Sequence, residues 1–290
     1  MTEIFKHLFG GWHEAEACRW ANKDGTPGGI VAVTATVDPD VIIAESVVVW
    51  PNARIGARTS IGYGTSIGHS TSIGARTSIG DDTSIGYGTS IGDGTSIGAR
   101  TSIGDGTSIG DGTSIGARTS IGHSTSIGDG TSIEARTSIG YGTSIGYGTS
   151  IGYGTSIGYG TSIGHSTSIG ARTSIGARTS IGDGTSIGAR TSIGDGTSIE
   201  ADDWLFVAGP QGSRNSFATA TNSATHGLRW WVGCQHGITT ETFRARIDLD
   251  HPAPSEHRDN YLALIAFVEA HPGLARHRAK IAAASTNVEG

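Results

Sequence analysis

The central part of the chain carries one aliphatic residue at every sixth position. Isoleucine occupies each sixth position from Ile55 to Ile199 without interruption, in units of the form Ile-Gly-x-x-Thr-Ser. Side chains two positions apart on a β-strand point to the same face. The pattern therefore predicts short strands that bury Thr and Ile, expose Ser, and are joined by Gly-x-x corners.

Three such strands and corners close one triangular coil of 18 residues. An α-helix is excluded because a six-residue period scatters isoleucine around the helix surface. Disorder is excluded because it would not keep an aliphatic residue in register over so many units. Stacked coils lie about 4.8 Å apart. The sequence thus predicts an all-β solenoid, a parallel β-helix of about nine triangular coils.

The chain divides into three predicted regions, which are 1–36, 37–203 and 204–290. The six-residue register extends backward from Ile55 through Val49, Ile43 and Val37 in less regular sequence. The ends of a solenoid expose unpaired backbone and need a cap. We expect residues 1–36 to be an N-terminal cap, with an apolar lid formed by Ile4, Phe5, Leu8, Phe9, Trp12 and Trp20.

The composition changes abruptly at Trp204. Short strands are predicted for 204–208, 216–221 and 228–232, because apolar runs alternate there with Gly-rich and Asn-rich turns. A short helix is predicted after Thr240 and a longer one from Ser255. Residues 204–290 are therefore expected to form a small α+β domain.

The repeat resembles the hexapeptide-repeat left-handed β-helix family of the bacterial transferase hexapeptide type. That resemblance implies a left-handed coil. The segment Val47 to Ala53 also resembles the opening coils of γ-class carbonic anhydrase relatives within this family. The C-terminal tail, with Gly209-Pro210-Gln211-Gly212-Ser213-Arg214 and Gly233-Cys234, resembles uncharacterised prophage-associated hexapeptide-like proteins.

Charge and hydropathy narrow the set of partners. The chain has a formal net charge of -6, which argues against a nucleic-acid partner. No stretch approaches the ~20 apolar residues of a membrane span, and the N-terminus lacks the features of a signal peptide. We therefore expect no membrane partner, and a cytoplasmic location, or a virion-associated one if the protein is phage-encoded.

The variable corner residues form ladders, because positions 18 apart stack on each other. One corner carries an arginine ladder, which we define as Arg100, Arg118, Arg136, Arg172 and Arg190. Arginines about 4.8 Å apart could bind an acidic polysaccharide or another repetitive polyanion, although a solvated corner is the alternative. Asp93, Asp111 and Asp129 form a ladder on another corner, which offers too few ligands per coil for Ca²⁺.

The histidines of the repeats are candidate catalytic groups. The resemblance implies acyltransferases that use a histidine in a cleft between subunits of a trimer. His69, His123 and His165 lie inside unbroken repeats, and the corners supply no cluster of three histidines for a metal. We therefore expect surface histidines, with no catalytic residue, no cofactor and no metal site.

The unbroken register favours a non-enzymatic structural or surface-binding rod, phage-related and homotrimeric, that presents the C-terminal domain. The first alternative is a hexapeptide acyltransferase that uses acyl-CoA. The second is an ice-binding protein, because Ser66, Ser84 and Ser102 begin straight outward rows. Ice-binding solenoids rely on outward threonine, whereas this repeat turns threonine inward.

Overall fold

The protein is a β-helix with a hairpin at one end and a small α+β domain at the other. The computed structural model describes residues 3–200, 203–211, 216–223, 226–232 and 235–286. Strands β1, β2 and β3 span Ile4–Phe9, His13–Ala21 and Pro27–Ala32. The coil strands each have two residues, and one strand begins at every sixth residue. The first five are β4 (Thr36–Val37), β5 (Ile42–Ile43), β6 (Val48–Val49), β7 (Arg54–Ile55) and β8 (Ser60–Ile61), and the last is β31 (Ser198–Ile199).

The coil strands stack into three parallel sheets. Every third strand joins the same sheet, so that β6, β9 (Ser66–Ile67) and β12 (Ser84–Ile85) follow one another in the first sheet. The register pairs residues 18 apart, for example Ser84 with Ser102 and Ile85 with Ile103. This confirms the predicted left-handed parallel β-helix of about nine coils.

The isoleucines form one continuous interior column. From Ile55 to Ile199 each is at most 3% exposed, and Val41, Ile43, Val47 and Val49 continue the column toward the N-terminus. Burial of an aliphatic side chain of this size stabilises a fold by roughly 1.5–3 kcal/mol. The Ile column is therefore the main source of the coil's stability.

The inward threonine hydroxyls are satisfied by corner carbonyl groups. The Oγ1 of Thr77 donates to the carbonyl oxygen of Gly74 at 2.9 Å, and that of Thr131 donates to the carbonyl oxygen of Gly146 at 3.2 Å. An unpaired buried hydroxyl would be costly. Because these bonds recur along the stack, threonine fills the interior beside isoleucine without that cost.

The backbone at two positions of each corner explains why the repeat places glycine there. A Cβ atom on Gly98 would lie 2.5 Å from the backbone nitrogen of Ala117 in the next coil, so glycine is needed for close stacking. Two residues later the backbone is left-handed, with φ of +66° at Gly94 and +60° at Arg118. The corners with the sequence Ala-Arg thus hold arginine in a conformation that favours glycine.

The corner aspartates bind the backbone of the preceding coil. The backbone N–H of Ala75 donates to Oδ1 of Asp93 at 2.7 Å, and that of Asp93 donates to Oδ1 of Asp111 at 2.8 Å. Each aspartate thus satisfies a corner N–H that would otherwise face solvent. The aspartate ladder is a structural feature of the stack.

The N-terminal segment extends the first sheet beyond the coil. Strands β1 and β2 form an antiparallel hairpin, and β2 pairs with β3, which runs parallel to β6. Strand β3 lies within the range predicted as a cap, yet it already forms part of the first sheet. Trp20 packs against the Ile column, and its Nε1 donates to the carbonyl oxygen of Val41 at 3.3 Å. Trp12, predicted to join the lid, is 75% exposed.

The C-terminal region contains an antiparallel sheet and three helices. Strands β32 (Trp204–Gln211), β33 (Ser216–Ser223), β34 (Gly227–Val232) and β35 (Gln235–Ile238) pair in chain order. Helices α1, α2 and α3 span Thr240–Asp250, Glu256–Glu269 and Pro272–Thr286. Strand β35 and helix α3 were not predicted from the sequence. Residues 212–215 and 233–234, which carried part of the predicted prophage resemblance, lie outside the described residues.

The C-terminal sheet is attached to the last coils. The Nε1 of Trp231 donates to the carbonyl oxygen of Gly196 at 2.9 Å, and Leu205 packs against the Ile column. A cavity of about 220 Å³ at this junction is lined by Asp203, His226 and Arg229, among others. Burial raises the pKa of the Asp203 carboxyl above its ordinary value.

None of the helices in the described part of the chain is long and apolar enough to span a membrane.

Candidate functional site

A cleft lies where the N-terminal hairpin meets the first regular coils. Its volume is about 530 Å³, and its lining includes Trp12, His13, Trp50, His69, Tyr87 and Asp105. We call this the hairpin cleft. The outward hydroxyl groups of Ser66 and Ser84 also face it. It combines aromatic walls, hydroxyl groups and two imidazoles, a composition typical of sites for small polar ligands.

The turn between β1 and β2 brings Trp12 and His13 to this corner of the coil. Gly10 and Gly11 both have positive φ, and a Cβ atom on Gly10 would lie 2.9 Å from the ring of Trp50. Glycine therefore allows the tight turn and the close approach of the indole. The Trp50 ring also contacts the ring of Phe9, with centroids 5.6 Å apart. Trp50 thus packs against the turn and supports it.

Hydrogen bonds at both ring nitrogens hold His69 in place. The side-chain amide of Asn52 lies 3.2 Å from Nε2 of His69, and Oγ of Ser70 lies 2.7 Å from Nδ1. An amide NH₂ group only donates, so Nε2 accepts and the proton resides on Nδ1, which donates to Ser70. The ring also stacks on Tyr87, with centroids 5.5 Å apart. His69 is therefore a fixed wall of the hairpin cleft.

His13 is held by its ring faces alone. It stacks on Trp50 with an interplanar angle of 19°, and it meets His69 edge-on with the ring centroids 6.3 Å apart. Within the described residues, neither ring nitrogen of His13 has a hydrogen-bond partner. An oriented imidazole with free nitrogen atoms can exchange a proton with a ligand in the cleft.

The cleft does not have the composition of a metal centre. Among the residues that the structure describes, no three His, Cys, Asp or Glu side chains form a group that could hold a metal ion. Asp105 is engaged elsewhere, because its Oδ1 accepts the backbone N–H of Tyr87 at 2.8 Å. The arrangement is thus suited to proton transfer between His13 and a bound molecule.

The other repeat histidines serve the corner backbone. The backbone N–H of Asp105 donates to Nδ1 of His123 at 2.9 Å, and that of Tyr147 donates to Nδ1 of His165 at 3.1 Å. His123 is 67% exposed, as expected for a surface residue. His69 differs because the hairpin covers it. Sequence reasoning missed His13 altogether, since only folding of the hairpin brings it next to a residue so distant in the chain.

The arginine ladder lies on a different corner, away from the hairpin cleft. Arg100, Arg118 and Arg136 occupy successive coils, and a cavity of about 400 Å³ runs along them and the neighbouring alanines. Gly154 takes the next position in the stack, and the adjacent Tyr153 lies in the row of the alanines, with its ring centroid 5.6 Å from the Arg136 guanidinium. Arg172 and Arg190 follow in the next two coils. The ladder is therefore interrupted once, by Gly154.

Comparisons with known proteins concern the coil. The family model for the bacterial transferase hexapeptide (six repeats) matches residues 88–123. A search of curated proteins gives no match. None of the similarities found supports the predicted likeness of the C-terminal tail to prophage-associated proteins.

Solved structures with a similar fold include a UDP-N-acetylglucosamine acyltransferase from Francisella novicida, with a TM-score of 0.50 and 21% identity over 52% of this chain and 62% of that one. A UDP-N-acetylglucosamine acyltransferase from Campylobacter jejuni has a TM-score of 0.33 and 22% identity, over 48% of this chain and 66% of that one. A perosamine N-acetyltransferase from Caulobacter crescentus has a TM-score of 0.33 and 25% identity, over 36% of this chain and 52% of that one. The match spans less than two thirds of each of these enzymes.

These findings overturn the prediction of a non-enzymatic structural rod. The matching family model is that of the bacterial transferase hexapeptide, and the Francisella novicida acyltransferase has a similar fold. The findings therefore favour the first alternative weighed from the sequence, an acyltransferase. The prediction was wrong to take the unbroken repeats as evidence against a transferase, because the family model matches within those repeats.

Proposed function

We propose that this chain, whose repeats are those of the hexapeptide-repeat left-handed β-helix family, is an acyltransferase that reacts in the hairpin cleft. One observation carries the proposal: the edge-to-face pair of His13 and His69 inside a cleft of about 530 Å³. Acyl transfer to a hydroxyl or amine needs a base that accepts the proton of the attacking group. Imidazole suits this task near neutral pH.

The reaction would use acyl-CoA as donor. A ring nitrogen of His13 accepts the proton of the acceptor's O–H or N–H group while the acceptor's lone pair attacks the thioester carbonyl carbon. The tetrahedral intermediate then breaks its C–S bond, and the departing thiolate takes the proton from the imidazolium. The products are free CoA thiol and an acylated acceptor. No resident cofactor is needed for this step.

The two histidines are given different roles. His13 has free ring nitrogens among the described residues, so it is the proton acceptor in this proposal. His69 already accepts from Asn52 and donates to Ser70, so it orients His13 and borders the acceptor. Trp50 fixes the plane of the His13 ring by stacking against it.

The cleft suits a sugar-like acceptor. Aromatic rings pack against the apolar faces of sugars, and exposed Trp12 and Tyr87 offer such rings. The Ser66 and Ser84 hydroxyls can donate to or accept from the hydroxyl groups of a sugar. The similar enzyme from Francisella novicida is named for a sugar nucleotide, UDP-N-acetylglucosamine. We therefore place the acceptor of this chain among hydroxylated or amino sugars.

We also propose that the protein is a homotrimer. Trp12 is 75% exposed at the rim of the hairpin cleft, and Leu8 on the same hairpin is 52% exposed. A neighbouring copy packed there would bury apolar surface and close the cleft from water. Light scattering after gel filtration would test this, with three times the chain mass of 29.6 kDa as the expected result. A strictly monomeric protein would contradict it.

The activity is tested by release of CoA thiol. Purified protein is incubated with acetyl-CoA and a panel of amino sugars and sugar alcohols, and CoA binding is measured separately by calorimetry. We expect thiol release that depends on one class of acceptor, together with calorimetric binding of CoA. Neither thiol release nor CoA binding across the panel would reject the proposal.

A further inference from the structure

The arginines of the ladder adopt a backbone conformation that is unfavourable for residues other than glycine. Arg118, Arg136, Arg172 and Arg190 all have φ of 59° or 60°, in the left-handed region. Other corners of the same coil place glycine at this position, for example Gly64 and Gly94. A non-glycine residue there costs roughly 1–2 kcal/mol. Arginine is held against this preference on the other corners too, at Arg58, Arg76 and Arg178, but this corner aligns five arginines, and that alignment points to a use for their charge.

The backbone fixes the spacing of the guanidinium groups. The N–H of Arg118 donates to the carbonyl oxygen of Ala99 at 2.9 Å, and that of Arg136 donates to the carbonyl oxygen of Ala117 at 3.0 Å. The same bond joins the N–H of Arg190 to the carbonyl oxygen of Ala171 at 2.9 Å. Successive arginines thus leave the corner in the same direction, about 4.8 Å apart, except that Arg136 and Arg172 lie two coils apart because Gly154 stands between them.

Most of the ladder has no internal counter-ion. Asp82 lies 3.9 Å from Arg100 and partly neutralises that end. In the described part of the chain, no carboxylate lies within ion-pair distance of Arg118, Arg136, Arg172 or Arg190. These exposed charges span four coils, or roughly 19 Å. Like charges at this spacing repel each other, and a linear anion laid along the corner would relieve that repulsion.

The side chains between the guanidinium groups favour a carbohydrate. The preceding corner positions are alanines, which leave a cavity of about 400 Å³ along the first three arginines. Tyr153 adds an aromatic ring in the same row, 5.6 Å from the Arg136 guanidinium. A flat ring can pack against a sugar face while neighbouring arginines bind carboxylates in a bidentate manner. The net charge of -6 makes a nucleic acid a poorer partner.

We propose that the arginine ladder, together with Tyr153, binds an extended acidic polysaccharide of the polyuronate class, with one carboxylate facing each arginine. This surface lies on a different corner from the hairpin cleft, so it does not depend on the proposed acyl transfer. Arg100 forms its end, since Asp82 already pairs with that arginine.

The test compares two triple variants of the full-length protein. The ladder variant is Arg118→Gly/Arg136→Gly/Arg172→Gly, and the matched control is Arg58→Gly/Arg76→Gly/Arg178→Gly on the other two corners. Both sets remove three positive charges at positions with φ between 56° and 60°, where glycine is favoured. Neither variant is therefore expected to lose its fold, and circular dichroism melts would verify this.

Binding is measured by calorimetry at low salt with an oligogalacturonate, a neutral oligoglucan of equal length and an oligothymidylate. We expect wild-type protein and the control variant to bind the oligogalacturonate, and the ladder variant to bind it at least about tenfold more weakly. Absence of wild-type binding, an equal loss in the control variant, equal binding of the neutral glycan, or tighter binding of the oligothymidylate would each overturn the proposal.

Discussion

At the scale of single residues, the fold depends on a strict division between inward and outward positions. Ile127 is 2% exposed, whereas the neighbouring Ser126 is exposed. Their strand pairs with equivalent Ser-Ile strands on both sides, so the same environment surrounds Ile127 from above and below. The division between these two positions can be tested directly because they are adjacent in sequence.

The substitution Ile127→Asp is expected to destabilise the coil by at least about 3 kcal/mol, because it buries a carboxylate without a partner. Ser126→Asp, one residue away on the outer face, is the matched control and should change the free energy of unfolding by less than about 0.5 kcal/mol. Urea denaturation followed by circular dichroism measures both. Equal stability of the two variants would mean that the Ile column is not interior.

Asp203 gives a prediction that depends on pH. Burial raises the pKa of its carboxyl above 3.8, although its acceptance of the Glu200 N–H opposes this shift. A carboxyl with a raised pKa in the folded state favours folding while it is protonated. This contribution is lost as the pH rises from 3.8 through the raised value.

The substitution Asp203→Asn is therefore expected to raise the melting temperature at neutral pH, and the gain should disappear below pH 3.8. Asparagine keeps an oxygen atom that can accept the Glu200 N–H, so the test isolates the charge. Scanning calorimetry at several pH values provides the measurement. A gain of equal size at acid and neutral pH would refute the role of ionisation.

At the scale of secondary-structure elements, the β1–β2 hairpin has a role that the repeats cannot supply. Its apolar residues Phe9 and Ala17 are fully buried together with Ala32 of β3, in a cluster separate from the Ile column. The hairpin is thus a separate apolar unit attached to the edge of the coil. It carries Trp12 and His13, and so forms one wall of the hairpin cleft.

Because of that separation, Ala17→Asp is expected to detach the hairpin while the coil remains folded. Hydrogen exchange should become faster in residues 4–21 and stay slow in the Ile column. Acyl transfer should be lost because the detached hairpin carries His13. Arg19→Asp, at an exposed position of the same strand, is the control and should leave both properties unchanged. Loss of protection throughout the coil after Ala17→Asp would show that the two units are not separate.

The elements also differ in how far the sequence determined them. The coil strands were predictable because one period places Ile and Thr inward, and the buried positions from Ile61 to Ile199 follow that period. Strand β35 was missed because it has only four residues. Helix α3 was missed because it follows closely on α2 and has no strong apolar period. The apolar residues of the hairpin predicted a lid, because their pattern in the sequence does not reveal that β2 pairs with β3.

At the scale of the whole molecule, the proposed function depends on contacts that no periodicity encodes. Regular repeats gave the coil, its corners and the arginine ladder, all of which follow from positions 18 apart. The hairpin cleft instead joins His13 of the turn to His69 of the coil, across an irregular corner that carries Trp50 and Asn52. Those two residues, where the repeat is least regular, were the available signal of a site.

The proposed acyl transfer is tested most directly by the rate of CoA thiol release from acetyl-CoA in the His13→Gln variant, beside wild type and the control variant His165→Gln. Removal of a general base is expected to lower kcat about 100-fold or more, with little change in the melting temperature. His165 lies on another corner, where its ring accepts the Tyr147 N–H, and its replacement should leave kcat unchanged. Undiminished thiol release by His13→Gln, or an equal loss in both variants, would contradict the account.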